Sequence, residues 1–562
     1  MSGIPQTGSV LEQFVRWESA FADRTYMTQP GTDGSITNYS WGEVGDQARR
    51  MAAHLLSLNL PPKSTIAIVG KNSAHWIIAD LAAWMAGFIT VPLYPTIGAE
   101  TALYVLEHSE AKLLFVGKLD GISDSWNQLR DVLPASLPKI ALPMSPLKDA
   151  PQWADLIKRH EPLREFVARD LDELATIVYT SGTTGAPKGV MHSLRSLAAP
   201  CRTARELWRA TSDDRILSYL PLAHIAERAA IEVPSMVFGL HVFFADRLET
   251  FQQDLKRARP TIFFSVPRLW TKFYLAINAK LPPRKQKLLF SIPLLSRVIK
   301  RKILSELGLD QTRVAMTGAA PLAPHIIAWY RQLGLELLEV FGMTENCATS
   351  HICTPGDMKV GYVGKPVPGV ECRIGDGGEI LVKSPGQMLG YFKMPEKTAE
   401  DTTDDGFFHT GDCGEIDADG RLRVTGRVKE LFKTSKGKYV APAPIENRLS
   451  THPKVEAVCV TGPGEPQPFG LLMLSPDAQQ ELGAGRASRD VLGAEFEALL
   501  ERVNGALEDH EKLGFLVVVG EQWSTDNGFL TPTMKIKRNV IEQRYLPRVE
   551  AWRAARSKLV WA

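Results

Sequence analysis

The 562-residue chain sets 65 lysines and arginines against 63 aspartates and glutamates, a formal charge of +2, with 44% hydrophobic residues. So even a balance excludes a global field for nucleic acid, and the composition is that of an ordinary globular protein. Its six cysteines include no CxxC pair, which excludes a zinc ribbon or disulfide framework and fits a reducing, cytoplasmic setting.

In chain order, the opening MSGIPQTGSVLEQ has no basic stretch leading into an apolar core, so no secretory signal is expected. Residues 41–58 alternate as an amphipathic helix, and 65–70 (TIAIVG) reads as a strand. The most apolar stretch, 76–94, is interrupted by Asp80, Gly87 and Pro92. It predicts a buried helix running into a strand rather than a membrane span. Further strands are expected at 112–116, 174–179, 215–220, 241–244 and 261–265. Such alternation predicts an α/β unit with mostly parallel sheets. Residues 280–302 carry eight basic side chains and no acidic one among eight apolar ones, which suits either an anionic membrane surface or a solvated basic helix face. At 372–382 and 420–424 short strands with glycine turns begin, 474–490 reads as a polar loop, and the remainder predicts a smaller α+β unit.

The ten residues TSGTTGAPKG at 180–189 carry the strongest chemical signal. Gly182 and Gly185 let the backbone turn N–H groups toward an anion, Thr180, Ser181, Thr183 and Thr184 add hydroxyls, and Lys188 adds a point charge. A P-loop needs four residues between its glycines and Gly-Lys-Ser/Thr at its end. This loop has neither, so it holds phosphate in another way.

Further motifs follow in order: YLPLAHIAER (219–228), TGAAPL (317–322), VFGMTE (340–345), GFFHTGD (406–412), GRVKELFKTSKGKYVAPAPIE (426–446) and NGFLTPTMKIKR (527–538). Together with the loop, the set resembles the adenylate-forming superfamily and, within it, the long-chain fatty acyl-CoA synthetases, from about Tyr39 onward. The resemblance implies a large N-terminal domain, 1–426, and a small mobile C-terminal domain, 427–562. It implies activation of a fatty acid with ATP to acyl-AMP, then thioester formation with coenzyme A. A medium-chain or aryl acid, or a carrier protein as acceptor, remains open.

Carried over position by position, the loop would grip the β- and γ-phosphates, and Thr184 and Glu345 would hold Mg²⁺. Gly318, Ala319 and Ala320 would admit adenine, with Phe341 stacking and Gly342, Met343 and Thr344 completing the wall. Asp412 would accept the ribose hydroxyls, Arg427 would touch ribose or phosphate, and His224 would flank the reacting carboxylate. Lys535, with Lys537 as its rival, would bridge carboxylate and α-phosphate. Lys429 would be the hinge that exchanges Lys535 for a coenzyme A-side loop carrying Lys433, Ser435 and Gly437. Some relatives place an aromatic gate to the acyl tunnel four residues after the histidine; here Arg228 stands there.

Overall fold

The computed structural model describes residues 9–180, 186–524, 527–531 and 535–562. A seven-stranded sheet dominates the N-terminal part. In spatial order its strands are Gly390–Tyr391, Lys188–Ser193, Leu174–Thr180, Ile89–Leu93, Thr65–Val69, Leu113–Val116 and Lys139–Ala141. Pairing is parallel from Leu174–Thr180 to Lys139–Ala141 and antiparallel on the other edge. The expected strands at 65–70, 112–116, 174–179, 215–220, 241–244 and 261–265 all form, with ends shifted by up to two residues.

Beside this sheet lie a five-stranded sheet opening on Ile262–Ser265, Val314–Thr317 and Leu337–Phe341, and a four-stranded sheet containing Arg215–Ser218 and His241–Phe244. Both mix parallel and antiparallel pairs. A four-stranded antiparallel sheet, Glu371–Ile374 with Glu379–Lys383, Phe408–Ile416 and Leu422–Arg427, follows. The last sheet, Val455–Thr461, Phe469–Leu474, Leu516–Val519 and Leu559–Trp561, carries helices such as Arg489–Asn504 and has its own apolar core.

Local chemistry explains the helices. Ser40 and Glu43 form a capping box that starts Trp41–Ser57, whose Val44, Ala48, Met51 and Leu55 face inward. The stretch 76–94 is the expected buried helix and strand: Ala74–Met85 has every residue buried and leads to Ile89–Leu93. No helix among the described residues is long and apolar enough to cross a membrane.

The polar loop expected at 474–490 is instead occupied by a helix, Pro476–Gly483. Ser475 accepts the Ala478 N–H as its cap, Pro476 stands at the first helical position, and Ala478 packs into the core. One inward residue per turn carries too little hydrophobic period to be read from sequence.

Candidate active site

The phosphate-loop hairpin is built by the strands Leu174–Thr180 and Lys188–Ser193, with Thr180 opposite Lys188. Ser181, Gly182, Thr183, Thr184 and Gly185 lie outside the described residues. The Lys188 ammonium stands 3.8 Å from Asp401 and 4.1 Å from the centre of the Tyr391 ring. Burial lowers its pKa, against the pull of Glu345 and Asp401.

Glu345 sits in a one-turn 3₁₀ helix, Thr344–Asn346, directly after the strand Leu337–Phe341. It is buried, and the Tyr391 hydroxyl donates to its Oε1 at 3.0 Å. Asn346 Oδ1 accepts the Met343 N–H at 2.9 Å, which fixes the turn. His192, fully buried, lies 2.7 Å from the Thr344 carbonyl through Nε2 and 3.1 Å from Ser196 Oγ through Nδ1. Since the carbonyl can only accept, Nε2 carries the proton and Nδ1 accepts from Ser196.

The residues expected to admit adenine follow the strand Val314–Thr317. Ala319 and Ala320 are exposed, with Ala319 in the left-handed region at φ 68°. Gly318, however, is buried, and a Cβ there would come within 2.5 Å of Val340 Cγ2. Its missing side chain therefore admits Val340. Gly342 likewise leaves room for the Ala348 backbone, 2.6 Å from where its Cβ would lie. Phe341 is half-buried, tilted against His351 with ring centres 6.1 Å apart.

Asp412 and Arg427 face each other in register across neighbouring antiparallel strands, and Arg427 Nε meets Asp412 Oδ1 at 2.9 Å. Burial lifts the Asp412 carboxyl above its usual range, while Arg427 and Lys535 pull it back.

The C-terminal part contributes Lys535. Its backbone pairs with Thr531, the Thr531 N–H donating to the Lys535 carbonyl at 2.8 Å and the Lys535 N–H to the Thr531 hydroxyl at 3.1 Å. Lys535 keeps a large exposed area, yet protein surrounds its ammonium closely enough to desolvate it. That desolvation, followed by the nearby Arg427 charge, lowers its pKa; Asp412, Glu430 and Glu345 oppose the shift. Lys537 instead lies at the start of the helix Arg538–Tyr545, where its carbonyl accepts the Val540 and Ile541 N–H groups.

His224 caps the short helix Ile225–Glu227, its Nδ1 accepting the Ala226 N–H at 3.1 Å. Burial and the neighbouring Lys535 push its pKa down to about 4, so the ring is neutral at pH 7. Nδ1 is the acceptor, so Nε2 is the proton-bearing donor. The buried Glu227 carboxylate braces the loop, accepting from Ser218 Oγ, the Tyr219 N–H and Asn72 Nδ2 at 2.7, 3.0 and 3.1 Å.

Arg228 is fully buried, ion-paired with Asp80 and Glu232 and donating to Thr176 Oγ1 at 2.7 Å. Burial raises the Glu232 carboxyl to about 8, with Asp80 adding to the rise. Asp80 Oδ1 and Glu232 Oε1 have no other partner. A side chain locked in this way cannot swing as a gate.

The π-helical turn Arg228–Glu232 directs Arg228 and Glu232 inward while Ala229 and Ala230, with Ala226, line a cavity of ≈ 70 Å³. Phe264, Met316 and Val340 line it too.

Thus Lys188, His224, Glu345, Asp412, Arg427, Lys429 and Lys535 are linked by contact or by charge. The coenzyme A-side residues are elsewhere. Lys433 and Ser435 reach Gly464 and Glu465 through their backbones, and Gly437 makes the tight turn at φ 76° with open space at its Cβ. Tyr391, His192 and Glu430 were missed. Only Tyr391 left a signal, as an aromatic in GYF beside a strand edge.

Mixed sheets and converging charges point to an enzyme that handles anionic substrates. The AMP-binding enzyme model matches residues 14–392, and the AMP-binding enzyme C-terminal domain matches 430–556. The chain belongs to the AMP-binding enzyme family. It is 32% identical to the long-chain-fatty-acid–CoA ligase FadD15 of Mycobacterium bovis, over 92% of this chain and 93% of that protein. It is 31% identical to long-chain-fatty-acid–CoA ligase 1 of Homo sapiens, over 87% and 78%. The fold matches the adenylation domain of a carboxylate reductase from Mycobacterium chelonae, with TM-score 0.81 and 21% identity over 97% of this chain and 91% of that one.

Proposed function

We propose that the protein joins a long-chain fatty acid to coenzyme A in two steps, by way of acyl-AMP. The observation that carries this reading is the convergence of Arg427, Asp412, Glu345 and His224 around Lys535. Carboxylate and ATP are both anions, so the first step is limited by their repulsion, and fixed cations lower it without reorganising. Lys535 supplies the cation where the carboxylate meets the α-phosphate. The neutral His224 offers Nε2–H to an oxygen of the same reacting pair. Asp412 accepts the ribose hydroxyls while Arg427 stays aligned through its ion pair.

Glu345 fits Mg²⁺, a hard ion, through its carboxylate oxygens, one of them steadied by Tyr391; Thr184, the other residue assigned to the ion, lies outside the described residues. When bound, the ion neutralises charge on the phosphates. Lys188 and the loop hold the departing pyrophosphate.

The division at 426/427 and the hinge at Lys429 belong to the same reading. Lys429 lies in an exposed 3₁₀ turn, Val428–Glu430, with no buried residue, so rotation there disturbs no core. The long-chain assignment draws on the relatives' substrates and on the apolar cavity beside His224.

The test is an acid panel. Purified protein with ATP, Mg²⁺, coenzyme A and palmitate should yield AMP, pyrophosphate and palmitoyl-CoA, with medium-chain and aryl acids slower. Faster turnover of an aryl acid would overturn the chain-length assignment, and no pyrophosphate from any acid would overturn the reaction.

A further inference from the structure

The helices Pro283–Phe290 and Pro293–Glu306 form a hairpin packed on the helix Pro324–Leu333. Its inner side is anchored. Trp329 Nε1 donates to Gln286 Oε1 at 2.8 Å, the Gln286 amide donates to Asn278 and to the Leu281 carbonyl, and Ser296 and Ile303 are buried.

The outer side is unusual. Leu288, Ile292, Leu294, Leu295 and Val298 are exposed, Leu294 at 85% and Leu288 at 67%. These five belong to a set of only seventeen exposed large apolar side chains among the described residues, yet they fall within eleven consecutive positions. Scattered exposed apolar residues need no explanation, whereas a contiguous patch marks a contact surface.

The same segment holds Lys280, Arg284, Lys285, Lys287, Arg297, Lys300, Arg301 and Lys302 without an acidic residue between them. Among the described residues none of the eight forms an ion pair, in a chain that pairs most of its other surface cations. Lys300 lies over the Phe290 ring, and Lys280 and Lys302 act on Glu306 only at longer range, so the segment keeps most of its positive charge uncompensated by close carboxylates.

We propose that this hairpin docks the enzyme onto an anionic phospholipid bilayer. Leucine and valine side chains enter the boundary between headgroups and acyl chains, while lysine and arginine stems extend to the phosphates. Nucleic acid would reward the cations but leave the leucines in water. An acidic protein groove would need the apolar residues in one narrow stripe, whereas here they span two helices and the turn between them.

The placement suits the reaction proposed above, although the docking stands on its own observations. The helix Pro267–Lys280, which leads into the hairpin, directly follows the strand Ile262–Ser265, whose Phe264 lines the apolar cavity. Trp270 of that helix donates to the Met316 carbonyl, and Met316 lines the cavity as well. The hairpin is thus joined through one helix to the layer that lines the cavity proposed to receive the acyl chain.

The experiment is flotation of the full-length protein with vesicles of phosphatidylglycerol and phosphatidylcholine, against vesicles of phosphatidylcholine alone. The mixed vesicles should carry the protein, and added salt should release it. The L294S/V298S pair should lower partitioning about tenfold. K285Q/K287Q, which leaves every packed residue in place, should lower it about fivefold for each charge removed. Both variants should keep wild-type melting temperatures and wild-type turnover of a water-soluble medium-chain acid. Failure of the wild type to float with mixed vesicles, or equal flotation with phosphatidylcholine alone, would overturn the proposal. So would unchanged partitioning in K285Q/K287Q. No turnover of any acid by a wild-type protein that floats with mixed vesicles would count against the proposed function and leave the docking standing.

Discussion

Two loops of the C-terminal part present opposite situations. The segment holding Lys535 is drawn into the cleft, where its ammonium shares a field with Arg427, Asp412, Glu430 and Glu345. The hairpin Phe432–Lys433 and Tyr439–Val440 roots Phe432 and Val440 in the C-terminal core, while its tip, with Ser435 and Gly437, is exposed and bonds through its backbone to Gly464 and Glu465. Both flank the short exposed turn that contains Lys429. On the function proposed above, this conformation is the one that serves the joining of carboxylate to phosphate, and the proposed thiol step calls for the other face of the same small domain.

The strongest way to break this comparison is Lys535→Ala. Loss of a preorganised cation at the bridging oxygens should slow acyl-AMP formation by about 10²- to 10³-fold, read as pyrophosphate release. Next is Lys429→Pro, which fixes φ near −65° and restricts rotation at the turn. It should slow thioester formation by about tenfold or more with pyrophosphate release nearly intact, since domain closure rather than cleft chemistry is impaired. Tyr391→Phe removes a hydrogen bond to a charged acceptor, and about a tenfold fall in the rate of acyl-AMP formation is expected.

Smaller still is a pH effect. Lys535 acts as a cation and its pKa is lowered, so the rate of acyl-AMP formation should fall as pH rises, at a pH below the ordinary lysine value. Lys535→Arg should remove that alkaline limb, whatever it does to the rate, because arginine keeps its proton. The smallest effect belongs to the Arg268–Glu456 ion pair between the helix Pro267–Lys280 and the C-terminal sheet. Its exposed arginine limits the contribution, so Arg268→Ala should change the rates less than about fivefold.

Much of this was legible in the sequence. Strands such as 65–70 and 241–244 were short apolar runs, and the helix Trp41–Ser57 announced itself through its amphipathic pattern, while its Ser40 cap emerged only in the structure. Motif spacing pointed to Asp412, Arg427 and Lys535, whose meeting depends on pairing that no local pattern encodes: Asp412 opposite Arg427 across a strand pair, and Lys535 brought in by a separate sheet. The helix Pro476–Gly483 was hidden because it buries little. Arg228 was legible as a departure from an aromatic gate but not as a buried ion triad, since its partner Asp80 is 148 residues away in sequence. Gly318 read as backbone open to a base, and the further need for its missing Cβ, room for Val340 of the neighbouring strand, showed only in the folded chain. His192 and Tyr391 act through a carbonyl and a carboxylate distant in sequence, so their roles needed the folded chain.

The most direct measurement of the division between the two loops is a pair of single-turnover assays on Lys535→Ala and Lys429→Pro. One follows acyl-AMP formation from palmitate and ATP, the other the conversion of supplied palmitoyl-AMP to palmitoyl-CoA. Lys535→Ala should lose the first reaction and keep the second, and Lys429→Pro should do the reverse. Equal loss of both reactions in either variant would contradict a two-faced domain.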